Sequence, residues 1–514
     1  MYNMKSINYL AAILLALFLI PLNGCDTESL HELNENPTVA EEIDPGFILA
    51  YTQLQTSGER FENWRTQLIY QSTMIQQLAT LATYWSGDKY LYNDQYSGAL
   101  WERAFTNYIK DLANLVEITD PTVEGQEEWA NYHAIARIWK VVAFQRVTDI
   151  YGDVPYFGAG KGFSERDFFP AYDPQEEIYK DMLNELEVAA GLLNASASSP
   201  GNQDLIYGGD IEKWRKYAYS MMLRLGMRLS EVEPATAQEW VQKAFAGGVM
   251  QGVDDTSYLQ HTDGPEGINR NGIGEVFNWN GERFTNDDAS RLSKTFVDWM
   301  AEHNDPRLER LSWVVNGGEP LGRPNGYDAT TILQFDPSYN DEGRPDDYSR
   351  VNPVFVLLDS PMLFQTYAEV EFYLAEAAAR GWINSDPAAH YEAGVRGAME
   401  LYAIFDASVE IPSSEIDAYL AENPYDAANW DAQIGEHVWA ANFLNFYEAY
   451  ANFRRTGYPE LTPVDYPGNE SNGTIPRRLR YPSSEASGNP EAYNDAVNRQ
   501  GPDQFTTRMW WDAE

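Results

Sequence analysis

Apolar residues recur at three- and four-residue steps through most of this chain. Between 129 and 151, Tyr132, Ile135, Trp139, Val142, Ala143 and Ile150 fall on one face and predict a helix. Gly152 supplies its stop, and Pro155 keeps it from resuming. Trp64, Leu68, Met74 or Ile75, Leu78 and Leu81 mark the buried side of a helix over 61–83. Trp101, Phe105, Tyr108, Ile109, Leu112 and Leu115 predict another over 100–116. Asp173-Pro174 reads as an N-cap carboxylate before a proline at the first helical position, opening a helix to about 193. Helices over 211–229 and 235–246 follow, the second stopped by Gly247-Gly248.

Downstream, the alanine- and glutamate-rich run 366–380 ends at Gly381, and Asp386-Pro387 starts a partner reaching Leu401. Such a pair forms a helical hairpin. The alternation resembles tetratricopeptide repeats, without a strict repeat period. One long helix is predicted over 432–453. Strand signals are few, the best being 312–315 and 353–357. Two looped stretches, 84–96 and 247–348, interrupt the helices, the second with a helix near 291–302. The fold class is mostly α. Length allows two or three domains, but no linker divides the chain after residue 37.

The first 24 residues have a secretory layout: one charge, Lys5, then an apolar run from Leu10 to Leu22, too short for a spanning helix. Cys25 follows at once and is the only cysteine, so no internal disulfide forms. Its position resembles a bacterial lipobox, which implies cleavage before Cys25 and its lipidation. Residues 25–37 then read as a polar tether and 38–514 as one domain, with a helical scaffold over 38–247 and 360–514 and a loop-rich binding region over 248–359. The formal net charge of −42 disfavours nucleic acid and anionic membrane as partners.

The end of the 129–151 helix, Asp149-Ile150-Tyr151-Gly152-Asp153-Val154-Pro155-Tyr156, closely resembles a signature of the SusD/RagB family, nutrient-binding lipoproteins of Bacteroidetes. Three further stretches match in order. They are Glu371-Phe372-Tyr373-Leu374-Ala375-Glu376-Ala377 with Tyr391-Glu392-Ala393-Gly394-Val395; Phe446-Tyr447-Glu448-Ala449-Tyr450 with Phe453-Arg454-Arg455-Thr456-Gly457-Tyr458-Pro459; and Ile475-Pro476-Arg477-Arg478-Leu479-Arg480-Tyr481-Pro482 with the terminal Met509-Trp510-Trp511-Asp512. The resemblance implies a SusD-like fold in which tetratricopeptide-like helix pairs support a looped ligand-binding region. It implies an outer-membrane lipoprotein facing the cell exterior, which captures glycan for a SusC-like, TonB-dependent transporter. A peptide ligand, as in RagB-like members, is the alternative within the family. Arg454, Arg455, Arg477 and Arg478 are expected to pair with carboxylates and hold the C-terminal segment to the helices.

Aromatics mixed with Asn, Gly and Arg in loops suit a sugar. A ring offers a dry face to C–H groups, and amides or guanidinium groups bond hydroxyls. Family glycan sites draw on an early loop and the middle looped region. The resemblance therefore implies Trp85, Trp279 and Trp313 as stacking residues, with Tyr84, Asn280 and Arg283 as flanking or polar helpers. Trp101, Trp129, Trp139, Trp214 and Trp299 lie in predicted helices and are read as core. The acidic chain with aromatic loops favours a neutral β-glucan such as laminarin.

The remaining alternative is a glycosidase working through paired carboxylates. With 78 acidic residues, close pairs arise by chance. His-Glu-x-x-His, the Gly-x-Ser-x-Gly elbow, the P-loop and the dinucleotide glycine fingerprint are all absent. No catalytic residue, cofactor or metal ligand is assigned. The acidic run Asp336–Asp341 offers oxygen ligands without EF-hand order, and a solvated loop is the better reading than a calcium site.

Overall fold

The helix that ends in Tyr151-Gly152 is buried on nearly every side. A computed structural model describes residues 43–513 apart from 163, 266, 279–289 and 340–346. Pro45 onward forms one compact unit. Its early helices are α1 (Pro45–Ser57) and α2 (60–74), the latter built from Arg60–Glu62, the π-helical Asn63–Gln71 and Ser72–Met74. Then come α3 (99–118, with a π-helical stretch Ala104–Tyr108), α4 (Ala130–Tyr151), α5 (Gln175–Leu192), α6 (Ile211–Arg228) and α7 (Pro234–Gly247). α4 packs against α1, α3, α5 and α6. That enclosure buries its polar Gln145, Arg146, Thr148 and Asp149 as well as its apolar face.

Later helices include α8 (Gly272–Phe277), α9 (Lys294–Glu302), α10 (Tyr367–Ala379), α11 (Pro387–Glu400), α12 (Trp430–Ala441) and α13 (Phe446–Thr456). The pairs α4/α5, α6/α7, α10/α11 and α12/α13 pack together, α10 joins α6 to α12, and α13 returns to α2. The mostly helical fold class is therefore as expected. None of the described helices is long and apolar enough to cross a membrane.

Four local readings differ. The 61–83 helix ends at Met74, because Gln76 takes φ +54° and Leu78-Ala79 become strand β1. β1 pairs with β3 (Arg291–Leu292), so Leu78 is buried by pairing with Leu292. The 432–453 helix is two helices, broken where Leu444 adopts φ +72°. Residues 353–357 do not form a strand. Pro353–Val356 is a 3-10 turn with Pro353 at its start, and the Asn352 side chain accepts the Val354 N–H. The strands in this region are β2 (Ser257–Gln260) and the wholly buried β6 (Pro361–Gln365), paired antiparallel. β4 (Ser312–Trp313) pairs with β5 (Arg350–Val351).

The fourth difference is at Asp173, which does not cap its own helix. Its carboxylate accepts the N–H groups of Tyr156 and Phe157, each at 2.9 Å, while Pro174 takes the N-cap position. Asp153 accepts the Gln175 N–H at 2.8 Å and so caps α5 from the end of α4. Gly152 between them needs φ +85°, a left-handed conformation that glycine adopts without strain.

The C-terminal segment is clamped by arginines, as expected. Arg477 pairs with Asp512, Arg478 with Asp503 at 3.2 Å, and Arg455 with Glu376 at 2.7 Å. Arg454 instead stacks on Tyr450 (3.9 Å) and Trp511 (4.9 Å) and donates to the Arg477 carbonyl at 2.9 Å.

Candidate functional site: an aromatic platform at the start of α2

Between α1 and α2 the chain turns tightly, held by Asn63 Nδ2, which donates to the carbonyls of Ser57 (3.1 Å) and Gly58 (2.8 Å). The first turn of α2 then presents residues of opposite character on opposite sides. Glu62 points inward and is 2 % exposed, whereas Phe61 is 48 % exposed. Burial pushes the Glu62 carboxyl up to about 8, despite the guanidinium groups of Arg103 and Arg146.

The early loop is brought back onto this turn. Gly87 lies so close to the α2 backbone at Ile69 and Tyr70 that a Cβ would collide, so only glycine lets the loop lie flat there. Trp85 is 0 % exposed and belongs to the core. That corrects its reading as a stacking residue: a fully buried ring has no face to offer a ligand. Its neighbour Tyr84 points out, 47 % exposed, with its ring 6.1 Å from that of Trp64 at 65°. Asn93 caps the short helix Asp94–Ser97 by accepting the Tyr96 N–H at 3.1 Å. This sets the Tyr96 ring 6.0 Å from Trp64. Phe61 closes the group, 6.2 Å from Trp64.

Two guanidinium groups lie over three of the rings. Arg60 lies 5.0 Å from the Phe61 centroid and 5.8 Å from that of Trp64. Arg65 lies 5.0 Å from Phe61 and 5.6 Å from Tyr96. Flat rings at the surface beside fixed planar donors can hold the C–H face of a sugar while bonding its hydroxyls. The arrangement offers no activated nucleophile. Among the described residues, no group of three or more His, Cys, Asp or Glu side chains is placed to hold a metal ion.

Of the residues expected from the sequence, Tyr84 is on this platform. α8 packs against the start of α2, and the chain leaves it toward Asn278; Trp279, Asn280 and Arg283 lie outside the described residues, as does Cys25. Trp313 is half-buried in β4, with the Arg350 guanidinium 5.4 Å from its ring, and no described contact joins it to the platform rings. In the acidic run, Asp336 Oδ1 accepts from the Ser338 N–H (3.0 Å) and hydroxyl (2.6 Å), a local turn; Asn340 and Asp341 lie outside the described residues.

Phe61, Trp64 and Tyr96 were missed. Periodicity assigns Trp64 to the buried side of a helix. The signal that points outward is Arg60 and Arg65 flanking Phe61 and Trp64 in the sequence.

Comparisons with known proteins bear on the family and the fold. A family model named SusD-like, described as starch-binding and associating with the outer membrane, matches residues 37–482. A chitin-binding protein of known structure is 34 % identical, with 92 % of this chain and 100 % of that one covered at a TM-score of 0.81. A SusD-like protein described as Bacteroidetes AC2a is 27 % identical over the same shares, with a TM-score of 0.80. A chitin-binding SusD homolog from Flavobacterium johnsoniae is 25 % identical over 91 % and 98 %, with a TM-score of 0.74. No curated protein matches the chain.

Proposed function

The chain belongs to the SusD-like family, and from that premise we propose that it captures glycan at the cell surface on the α2 platform. The observation that carries this reading is the four-ring group, Phe61 and Tyr84 exposed and Trp64 and Tyr96 half-buried, with Arg60 and Arg65 over its rings. Trp279, Asn280 and Arg283 on the segment after α8 are proposed to contact the same ligand, and Trp313 to extend it. The ligand is a neutral β-linked polysaccharide, because a chain of net charge −42 repels polyanions at long range.

Relatives at 34 % and 25 % identity are chitin-binding. N-acetylated chito-oligosaccharides are accordingly the first ligand to test and laminarin-type β-glucan the second. The protein is anchored by lipid on Cys25 at the outer membrane, faces the exterior and passes bound oligosaccharide to a SusC-like, TonB-dependent transporter. It does no covalent chemistry on its ligand.

Calorimetric titration against chito-oligosaccharides, laminarin oligosaccharides and a peptide panel tests this reading. Saturable binding of a β-linked oligosaccharide without release of new reducing ends is the expected result. Binding of peptides alone would move the protein to the RagB-like class. Steady release of reducing ends, abolished by one carboxylate substitution, would make it a glycosidase.

A further inference from the structure

The far end of α2 opens onto a different place. Gln76, just past its last turn, lines a cleft of about 1030 Å³ together with α9 and the segment 458–467 that follows α13. That volume suits a bound oligosaccharide. No platform residue lines the cleft. From Phe61 to Gln76 the helix path is roughly 20 Å.

Three half-buried tyrosines, Tyr327, Tyr458 and Tyr466, line the cleft. Tyr466 is fixed by its hydroxyl, which donates to Asp328 at 2.8 Å. Rings in a cleft stack on sugar as rings on a surface do. The charge is one-sided: Asp298, Glu302, Glu436, Glu460 and Asp465 line the cleft against the single cation Lys294, already paired with Asp298. Glu436 is held in place by the Trp299 indole N–H at 2.9 Å. Asn325 also lines the cleft. Its Nδ2 donates to the Leu78 carbonyl (2.8 Å) and to Asp88 (2.7 Å), while its buried Oδ1 has no hydrogen-bond partner among the described residues. The carboxylates are not grouped as metal ligands are; no such group occurs among the described residues.

We propose that this cleft is a second carbohydrate site, specific for glycans carrying free amino groups: glucosamine-rich, deacetylated chains. The tyrosines stack on the sugar faces. The carboxylates, Glu436 foremost, bond the ammonium groups, which a neutral or anionic chain does not offer. Acetylated segments go to the platform and deacetylated segments to the cleft. The cleft proposal does not depend on the platform reading.

The test is titration of the full chain with a glucosamine tetramer and an N-acetylglucosamine tetramer, at low and high salt. Glu436→Gln keeps an acceptor for Trp299 and removes the charge. It should weaken the glucosamine tetramer by on the order of tenfold and leave the acetylated tetramer unchanged. Tyr466→Leu should weaken the glucosamine tetramer similarly, added salt should weaken it further, and Tyr84→Ala should not affect it. Failure of the glucosamine tetramer to bind the wild type would overturn the proposal. So would binding that neither cleft variant alters, or capture of oligolysine with no capture of glucosamine chains.

Discussion

Phe61 and Glu62 are adjacent on one helical turn, yet one faces solvent and the other is sealed inside. Burial raises the Glu62 carboxyl from 4.5 to about 8. The folded chain therefore keeps a proton that the unfolded chain gives up as pH passes its ordinary value. The contribution of this group is fully present below about pH 4.5 and is lost as pH rises through 8. Glu62→Gln should flatten that slope, so its unfolding midpoint should fall less between about pH 5 and pH 9 than that of the wild type. Equal falls would mean that Glu62 ionises normally in the fold. Tyr84 and Trp85 form a second adjacent pair with opposed roles. Trp85→Ala should cost about 3–5 kcal/mol of stability, because a fully buried ring leaves a cavity. Tyr84→Ala should cost less than about 1 kcal/mol of stability and reduce glycan affinity several-fold to about tenfold. Thermal unfolding and calorimetric binding on the two variants separate these roles. Residue type marks both as candidates in the sequence. Which of the two faces water is fixed by Gly87 and the close approach of the loop to α2, a long-range packing fact with no local signal.

At the scale of elements, strong periodicity over a helix with a proline or glycine boundary is readable. α4 to α7, α10 and α11 lie where the pattern puts them. The failures share a cause. A left-handed residue of no special type, Gln76 or Leu444, ends a helix that the apolar spacing would continue. Such conformations are imposed by tertiary contacts rather than local preference. The clamp of arginines is readable as a class, but its pairing is not. Arg455 and Glu376 are both buried and meet at 2.7 Å, joining α13 to α10. Arg455→Ala should cost about 2–4 kcal/mol, because the buried Glu376 carboxylate keeps only Arg380 (2.9 Å) as a charged partner, whereas the double replacement Arg455→Met with Glu376→Leu should recover part of that loss. A denaturant series on both variants checks this, and equal losses would show that the charge pair itself carries the stability.

For the whole molecule, the family was legible because its motifs are strings: the Asp149–Tyr156 helix end, and the arginine pairs that clamp the C-terminus. The proposed ligand platform is not a string. It assembles the first turn of α2, the loop tip at Tyr84 and the capped turn at Tyr96, and only folding shows them together. The anchor is tested at this scale too. Cys25→Ser should abolish labelling by a fatty-acid analogue and release the protein from the membrane fraction, and undiminished labelling would contradict lipidation at Cys25. The central claim is that a β-linked glycan is bound on the rings of α2 and its facing loop. Its most direct measurement is calorimetric titration of one chito-oligosaccharide into the wild type and into the double variant Trp64→Ala/Tyr84→Ala. Loss of two stacking rings predicts an affinity lower by on the order of a hundredfold, with a cooperative unfolding transition retained. An affinity equal to that of the wild type in the folded double variant would contradict the account.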